Sequence, residues 1–246
     1  VEGWFQIGCF RFAAGFGLDE CVDGAALGEG EVWHNGRVEP AGWAIKSLGF
    51  EPLALEEKEG LALLNGTHMM CAIGALLCHD FRQAFNAAIA AAAMAIDAAK
   101  ATDAFLDARI HDWRRQPGQI EVAGRLRGML AGSAIIPSHA ENDPRVQDPY
   151  SFRCAPQVLG AALDAVAWAE GVVTRELGAV TDNPLVFTLG GTAIVSGGNF
   201  HGMPLALAMS YVKASIPVLA SISERRLNKL VDPATNDGLP AFLIGN

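Results

Sequence analysis

A nearly uncharged, alanine-rich stretch from Thr67 to about Ala101 constrains the fold of this chain more than any other feature. The stretch is rich in alanine, methionine and leucine. Its only charged residues are Asp80, Arg82, Asp97 and Lys100. A helix with so few charges must be covered on nearly all sides, because little of its surface is suited to water. We therefore predict a long helix at the centre of a helical bundle.

Two further stretches predict long helices. Residues 156–180 place apolar side chains at helical spacing and end before Pro184, because the residue that precedes a proline leaves the α region. Residues 204–230 form the second stretch, in which Pro217 is expected to kink the helix. The polar end of that stretch, residues 223–226, is expected to reach solvent or a partner subunit. The fold class is therefore mainly α.

Small elements accompany these helices. Residues 31–38 predict a short hairpin around an Asn35-Gly36 turn, and residues 40–48 suit a short helix closed by a glycine. A second hairpin is predicted around Gly190-Gly191. Residues 1–30 are irregular and rich in glycine, so we divide the chain into an irregular segment at 1–30 and a helical core at 31–246.

Composition excludes several classes of partner. The formal net charge is −9, which argues against nucleic acid or an anionic membrane as a partner, because both attract a basic surface. The long uncharged run at 184–212 is interrupted by glycine and polar residues, so we predict no membrane helix. No charged segment followed by an apolar one opens the sequence, and we expect a cytoplasmic location.

The cysteines and histidines predict no metal site. The chain has five cysteines without a C-x-x-C pair, which is typical of reduced structural thiols. Cys78-His79 has no further ligand at a metal-binding spacing, so we interpret both as buried residues of a helix face.

Four polar stretches lie beside turns and helix starts: residues 65–67, 147–153, 181–184 and 196–202. Each also has a purely structural interpretation. Asn65 and Asn183 suit helix caps or turns, Tyr150 suits a core tyrosine, and Arg153 suits a solvated ion pair.

Residues 147–153 point most clearly to chemistry. Asp148 followed by Pro149 is a good N-cap and first helical position. On the helical turn that follows, Tyr150 and Arg153 are three residues apart and should point the same way. A guanidinium binds a carboxylate with two hydrogen bonds, and a phenol with a lowered pKa can act as an acid or a base. The stretch therefore suits a small substrate that carries a carboxylate.

Collinear motifs together resemble a known family, the aromatic amino acid ammonia-lyases and aminomutases, and most closely the histidine ammonia-lyases. The motifs lie at residues 27–32, 58–67, 109–111, 117–119, 146–157, 179–187, 196–202 and 223–226. The resemblance implies a long-helix bundle similar to the central helical domain of the fumarase and aspartase-like ammonia-lyases. It also implies that this chain corresponds to part of a family member, without its N-terminal and C-terminal parts.

The resemblance implies an activity and roles for five residues. Family members eliminate ammonia from an aromatic amino acid through a methylidene-imidazolone electrophile that forms from an internal Ala-Ser-Gly, without a metal. Asn65 and Tyr150 match positions that hydrogen-bond the electrophile, and Arg153 matches the ligand of the substrate carboxylate. Gln147 matches a polar contact near the reacting centre, and Phe200 an aromatic residue beside the electrophile. Histidine is the first choice of substrate, and a homotetramer or another homo-oligomer is the expected assembly.

The N-terminal window departs from the family. Ala13-Ala14-Gly15 is the nearest match to Ala-Ser-Gly and contains no serine, so we expect the electrophile not to form in this chain. Codons can be chosen for residues 15–20 that, read one base out of frame, encode Asp-Leu-Ala-Ser-Met. Because the family has Asp-Leu after the triad, we hypothesise a frameshifted or misread gene start.

Three alternatives stay open. In the first alternative, the chain is a catalytically inactive helical core that only assembles with itself, which would agree with the missing serine. Alternatively, it belongs to a phenylalanine or tyrosine ammonia-lyase or an aminomutase, since these share the motifs around Tyr150 and Phe200. A lyase of the fumarase and argininosuccinate type ranks last, because its serine-rich signature loop is not found.

Overall fold

The computed structural model describes residues 24–141, 143 and 145–245. The predicted mainly α fold is confirmed. The chain divides into two compact units, which we call the small unit (Val1–Met70 and Ala179–Gly202) and the helical unit (Cys71–Gly178 and Met203–Asn246). The division at residue 30 stays a prediction, because residues 1–23 lie outside the described part.

The small unit holds both predicted hairpins and two short helices. Strands β1 (Glu31–His34) and β2 (Arg37–Pro40) are antiparallel, and β3 (Leu185–Phe187) pairs with β4 (Ala193–Val195). The helices are α1 (Ala41–Ser47) and α2 (Glu59–Leu64). Asn35 and Gly36 have φ values of 50° and 82°, as a type I′ turn requires, so this hairpin is confirmed.

Helices α3 to α9 account for most of the helical unit. They are α3 (His68–Ala98, whose first three residues belong to the small unit), α4 (Ala108–Arg114), α5 (Pro117–Leu130), α6 (Ile135–Ser138), α7 (Tyr150–Arg153), α8 (Ala155–Leu177) and α9 (Met203–Val231). Two short 3-10 helices lie at Ala104–Leu106 and Ala241–Leu243. The three predicted long helices are confirmed as α3, α8 and α9.

The core of the helical unit is built from one face of each long helix. Its largest fully buried side chains include Phe85, Ile89, Leu126, Leu159 and Leu205. The guanidinium of Arg82 on α3 binds Glu170 on α8 as a fork, with Nε 2.8 Å from Oε1. This contact holds the two helices in register beside the apolar core.

Helix α3 is covered on one side only within this chain. Cys78, Phe85 and Ile89 are buried, whereas Ile73 and Met94 are 52% and 73% exposed. The described part of a single chain does not bury α3 nearly all round, and its burial by neighbouring subunits stays a prediction. The apolar composition of α3 exceeds what its own helical unit covers.

Helix α5 was not expected from the sequence, and its position depends on a close backbone contact. Gly118 on α5 lies against Gly160 on α8, and a Cβ on Gly160 would sit 2.4 Å from the backbone nitrogen of Gln119. Three glycines weaken the helical pattern of α5, because glycine has a low helix propensity. At Gly118 that loss is compensated by packing that no other residue allows.

His111 on α4 is buried in a hydrogen-bond network beside this contact. Its Nε2 lies 3.0 Å from the carbonyl oxygen of Phe105, and its Nδ1 accepts from the side-chain amide of Gln119 at 2.9 Å. Both bonds are formed by a neutral imidazole with its proton on Nε2. Burial lowers the pKa of His111 below its ordinary value of 6.5.

We expect the free energy of unfolding to depend on pH through His111. The unfolded chain takes up a proton at this residue near pH 6.5 while the folded chain resists it. Stability is therefore fully present above that pH and falls as the pH drops below it. Denaturant unfolding measured between pH 5 and pH 8 gives the free energy of unfolding at each pH. We expect this free energy to change less with pH in His111→Gln than in the unaltered chain. The exposed His79 gives the matched control, and an equal change in His79→Gln would contradict the assignment.

The polar end of α9 differs from the prediction in one residue. Arg225 is exposed and pairs with Glu224, but Arg226 is only 3% exposed. Its Nε donates to the carbonyl oxygen of Ile222 at 3.3 Å, and burial lowers the pKa of Arg226 to about 10. The prediction that this whole end reaches solvent is therefore wrong, because the helical periodicity turns Arg226 towards the core.

Helix α9 is also long and apolar enough to cross a membrane by length and composition alone, the one such helix in the described residues. A core helix passes the same test. Because Leu205, Ala208 and Val212 of α9 belong to the core of the helical unit, the finding carries no membrane assignment.

Candidate functional site

Three of the four polar stretches meet in the small unit, at residues 181–183. The backbone N–H of Thr67 donates to the hydroxyl of Thr181 at 3.4 Å. Gly66 belongs to the first segment and faces the second. A Cβ on Gly66 would lie 3.1 Å from the carbonyl oxygen of Thr181 and 2.8 Å from Nδ1 of His68. Glycine at 66 therefore permits the close approach of these segments.

Asn183 holds the third stretch. Its side-chain oxygen accepts from the backbone N–H of Gly197 at 2.8 Å and from the hydroxyl of Ser196 at 3.1 Å. Asn199 donates its side-chain amide to the carbonyl oxygen of Val180 at 3.2 Å. The loop at 196–202, which carries Phe200, is thus tied to the segment at 180–183 by several hydrogen bonds.

An ion pair between Lys58 and Asp182 lies in the same cluster, and neither residue was predicted to belong to the site. The ammonium of Lys58 contacts Oδ2 of Asp182, and the Lys58 and Asp182 side chains are 32% and 15% exposed. Lys58 lowers the pKa of Asp182. Lys58 lies in the family motif at 58–67 and Asp182 in the motif at 179–187. This membership was the one signal in the sequence that could have identified them.

Asn65 lies at the end of α2 and is exposed. Its backbone N–H and its side-chain amide both donate to the carbonyl oxygen of Leu61, at 2.9 and 3.2 Å. Within the part of the chain that the structure describes, its side-chain oxygen and one amide proton have no hydrogen-bond partner and are available to a ligand. Phe200 is 42% exposed in the loop described above.

A cavity of about 430 Å³ opens beside Gly66 in the small unit. Its walls are mostly apolar and include Leu53, Leu55, Leu63 and Met69, and His68 supplies a polar group. A volume of this order suits a small organic molecule.

The helical unit contains the pair predicted from residues 147–153. The guanidinium carbon of Arg153 lies 4.4 Å from the centre of the Tyr150 ring, and Nε donates to the carbonyl oxygen of Asp148 at 2.9 Å. Within the described residues, the two terminal nitrogens of Arg153 have no hydrogen-bond partner. The prediction that both side chains point the same way is confirmed, and the terminal nitrogens of the guanidinium remain available for a carboxylate.

Asp148 does not cap the helix that follows it, contrary to the prediction. Its carboxylate is buried and accepts from the backbone N–H and the hydroxyl of Thr102, at 2.9 and 2.8 Å. Pro149 instead precedes the short helix α7. A contact with a distant segment replaced the local cap, because one buried carboxylate satisfied both donors of Thr102.

Tyr150 is 70% exposed and lines a second cavity, of about 480 Å³, in the helical unit. Cys154, Val158 and Pro217 form part of its wall, and Arg225 supplies a charge. Gln147 is exposed on the segment that leads to α7.

The predicted site residues thus fall into two groups. Asn65 and Phe200 belong to the small unit, whereas Gln147, Tyr150 and Arg153 belong to the helical unit. A pocket shared by Asn65, Tyr150 and Arg153 stays a prediction. The window Ala13-Ala14-Gly15 lies outside the described residues.

The described residues contain no group of three histidine, cysteine or acidic side chains placed to hold a metal ion. Cys71 and Cys78 are free, buried thiols on α3, whereas His79 is exposed on the same helix. The prediction that Cys78 and His79 are both buried is therefore confirmed for Cys78 and wrong for His79.

The family model and the most similar curated relatives point to the same family. The family model for aromatic amino acid lyases matches residues 21–246. Histidine ammonia-lyase from Sorangium cellulosum is 48% identical over 221 residues, which cover 88% of this chain and 43% of that relative. Histidine ammonia-lyase from Geobacillus kaustophilus is 49% identical over 220 residues, with 89% and 43% covered. The chain therefore spans less than half the length of these curated relatives.

Solved structures show the same similarity. Histidine ammonia-lyase from Trypanosoma cruzi superimposes with a TM-score of 0.81 at 40% identity, covering 93% of this chain and 42% of that one. Tyrosine aminomutase from Streptomyces globisporus gives a TM-score of 0.83 at 33% identity, with 93% and 47% covered. The predicted long-helix bundle is thereby confirmed.

Proposed function

The chain belongs to the aromatic amino acid lyase family, and from this premise we propose that it forms part of an enzyme that eliminates ammonia from L-histidine. The arrangement of Arg153 carries the proposal. Its guanidinium rests on the Tyr150 ring and is fixed through Nε, while its terminal nitrogens remain available for a ligand. Two parallel hydrogen bonds from these nitrogens match a substrate carboxylate.

The other site residues receive the roles of the family positions that they match. Stacking on Tyr150 orients the guanidinium and leaves the phenol beside a cavity, where it can exchange a proton with a bound substrate. Asn65 matches the family position that hydrogen-bonds the electrophile, a role for which its amide group is suited. Gln147 supplies a further polar contact, and Phe200 supplies an apolar face to an aromatic side chain.

The residues present do not fit the methylidene-imidazolone group of the family. The group forms from Ala-Ser-Gly, and the nearest match in this sequence is Ala13-Ala14-Gly15, in which the methyl side chain of Ala14 has no hydroxyl to lose as water. The first serine of the chain is Ser47. No step of the reaction is therefore assigned to that group in this chain, and we expect the purified chain to form little urocanate from histidine.

Peptide mass across Ala13 to Gly15 should show unmodified residues in this chain, because cyclisation and dehydration need the serine. Ala14→Ser restores the Ala-Ser-Gly order and gives the matched variant, in which a loss of two waters is expected. Loss of two waters in the unaltered chain would contradict the assignment. The frameshift hypothesis is tested by the intact mass of the protein and by resequencing of the gene. If both measurements confirm the printed sequence in frame, the hypothesis is wrong.

The binding of amino acids tests the proposed function directly. L-histidine should raise the melting temperature of the chain more than L-phenylalanine or L-tyrosine does, because ligands that bind the folded state stabilise it. Histamine, which lacks the carboxylate, should have no effect. Stronger stabilisation by L-phenylalanine or L-tyrosine would favour a lyase or aminomutase for those substrates.

A self-assembling, inactive core is the second candidate, and the exposed apolar side chains of α3 and α9 favour it. These side chains include Ile73, Leu76, Met94, Leu207, Tyr211 and Ile216. Large exposed apolar surface is typical of protein interfaces. In either case we propose a homotetramer or another homo-oligomer located in the cytoplasm, and sedimentation velocity tests the assembly. Assembly without any binding of histidine would favour the inactive core.

A further inference from the structure

We propose that Lys58 and Asp182 form a positioning pair that holds Asn65 in place relative to the loop that carries Phe200. The inference rests on the proposed function, because it concerns residues assigned to that site. It assigns a role to two side chains outside the set that contacts the substrate.

The segment that carries Asn65 is attached at two points. Lys58 immediately precedes α2, which is only six residues long and has Asn65 as its C-cap. Lys58 binds Asp182 at one end, and beyond Asn65 the backbone N–H of Thr67 bonds the hydroxyl of Thr181 at 3.4 Å. Thr181 and Asp182 are the two anchor points, and they bind the chain on either side of α2. Because α2 is attached on both sides, both its position and its direction are fixed.

Asp182 also connects to the loop at 196–202. One carboxylate oxygen takes the ammonium of Lys58, and the other accepts the backbone N–H of Asn183 at 2.6 Å. The side-chain oxygen of Asn183 in turn accepts from Gly197 at 2.8 Å. A displacement of the Asp182 carboxylate would therefore be transmitted both to α2 and to the loop of Phe200.

The backbone of Lys58 supports a specific role for its side chain. Lys58 has a φ of 74°, in the left-handed region that favours glycine. A lysine in that conformation is strained, and such strain persists where the surrounding contacts define the conformation. Both partners are also partly buried, which distinguishes this ion pair from a fully exposed one.

Hydrogen–deuterium exchange on the chain tests the inference without relying on activity. Lys58→Met should raise amide exchange at 65–67 and at 196–200 by about tenfold, because local opening becomes easier once the tether is lost. The hairpin of β1 and β2, in the same unit, should keep its exchange rates. Lys58→Arg should restore both segments, since the guanidinium also binds a carboxylate.

Lys46 provides the matched control, because it pairs with Glu51 at 3.5 Å in the same unit with both side chains exposed. Lys46→Met should change neither segment. Unchanged exchange at 65–67 and 196–200 in Lys58→Met, or a uniform rise that includes the hairpin, would overturn the positioning role. Absence of histidine binding in the unaltered chain would count against the proposed function instead. If the chain binds histidine, Lys58→Met should weaken binding and Lys58→Arg should restore it.

Discussion

Replacing Arg153 with lysine is expected to weaken the binding of L-histidine by about 10- to 100-fold, since a charged hydrogen bond contributes about 1.5 to 3 kcal/mol. The guanidinium offers two terminal nitrogens in a fixed plane, held by the Tyr150 ring and by the carbonyl oxygen of Asp148. An ammonium keeps the charge but forms a single-point contact and cannot be oriented in the same way. Isothermal titration calorimetry of Arg153→Lys with L-histidine measures the loss. In an active full-length relative, the corresponding change should raise KM strongly.

Arg109 provides the control for this substitution. It is an exposed arginine of the same helical unit, and among the described residues its side chain binds only the neighbouring Asp107. Arg109→Lys should leave the affinity for L-histidine unchanged. Equal affinities for the unaltered chain and Arg153→Lys would remove Arg153 from the binding site, and with it the observation on which the proposed function depends.

Gly160→Ala is expected to destabilise the helical unit by about 2 to 4 kcal/mol, which is at the upper end of single substitutions. A Cβ at this position would lie 2.4 Å from the nitrogen and 2.5 Å from the Cα of Gln119. These are backbone atoms of α5, so no side-chain rotation can relieve the overlap, and α5 and α8 must move apart. The loss should be visible as a lower denaturant midpoint in equilibrium unfolding.

Gly171 lies on the same helix and gives a matched comparison. The nearest atom to a Cβ there is the end of the flexible Arg175 side chain, at 3.5 Å. Gly171→Ala should therefore stabilise the chain by about 0.5 to 1 kcal/mol, because alanine loses less conformational freedom in a helix. If the two substitutions had the same effect, the close contact of α5 and α8 would not be the cause.

Parts of the candidate site were predictable because they depend on neighbours in the sequence. Tyr150 and Arg153 are three residues apart, and one helical turn brings such residues together whatever the rest of the chain does. Asp148 shows the limit of this reasoning, since a good local cap was overridden by Thr102, 46 residues away. The Lys58–Asp182 pair spans 124 residues, and no local pattern marks it.

The same distinction applies to the fold. Periodicity and turn residues were sufficient for the long helices α3, α8 and α9 and for both hairpins, because their hydrogen bonds and apolar faces repeat over short distances in sequence. Helix α5 could be recognised only in the folded chain, where the glycine contact between Gly118 and Gly160 compensates for its weak helical pattern. Three other features could also be recognised only in the folded chain. They are the burial of Arg226, the carboxylate contact of Asp148 and the convergence of three polar stretches on residues 181–183. Each depends on segments far apart in sequence, whose approach is determined by packing of the whole chain and not by local conformational preference.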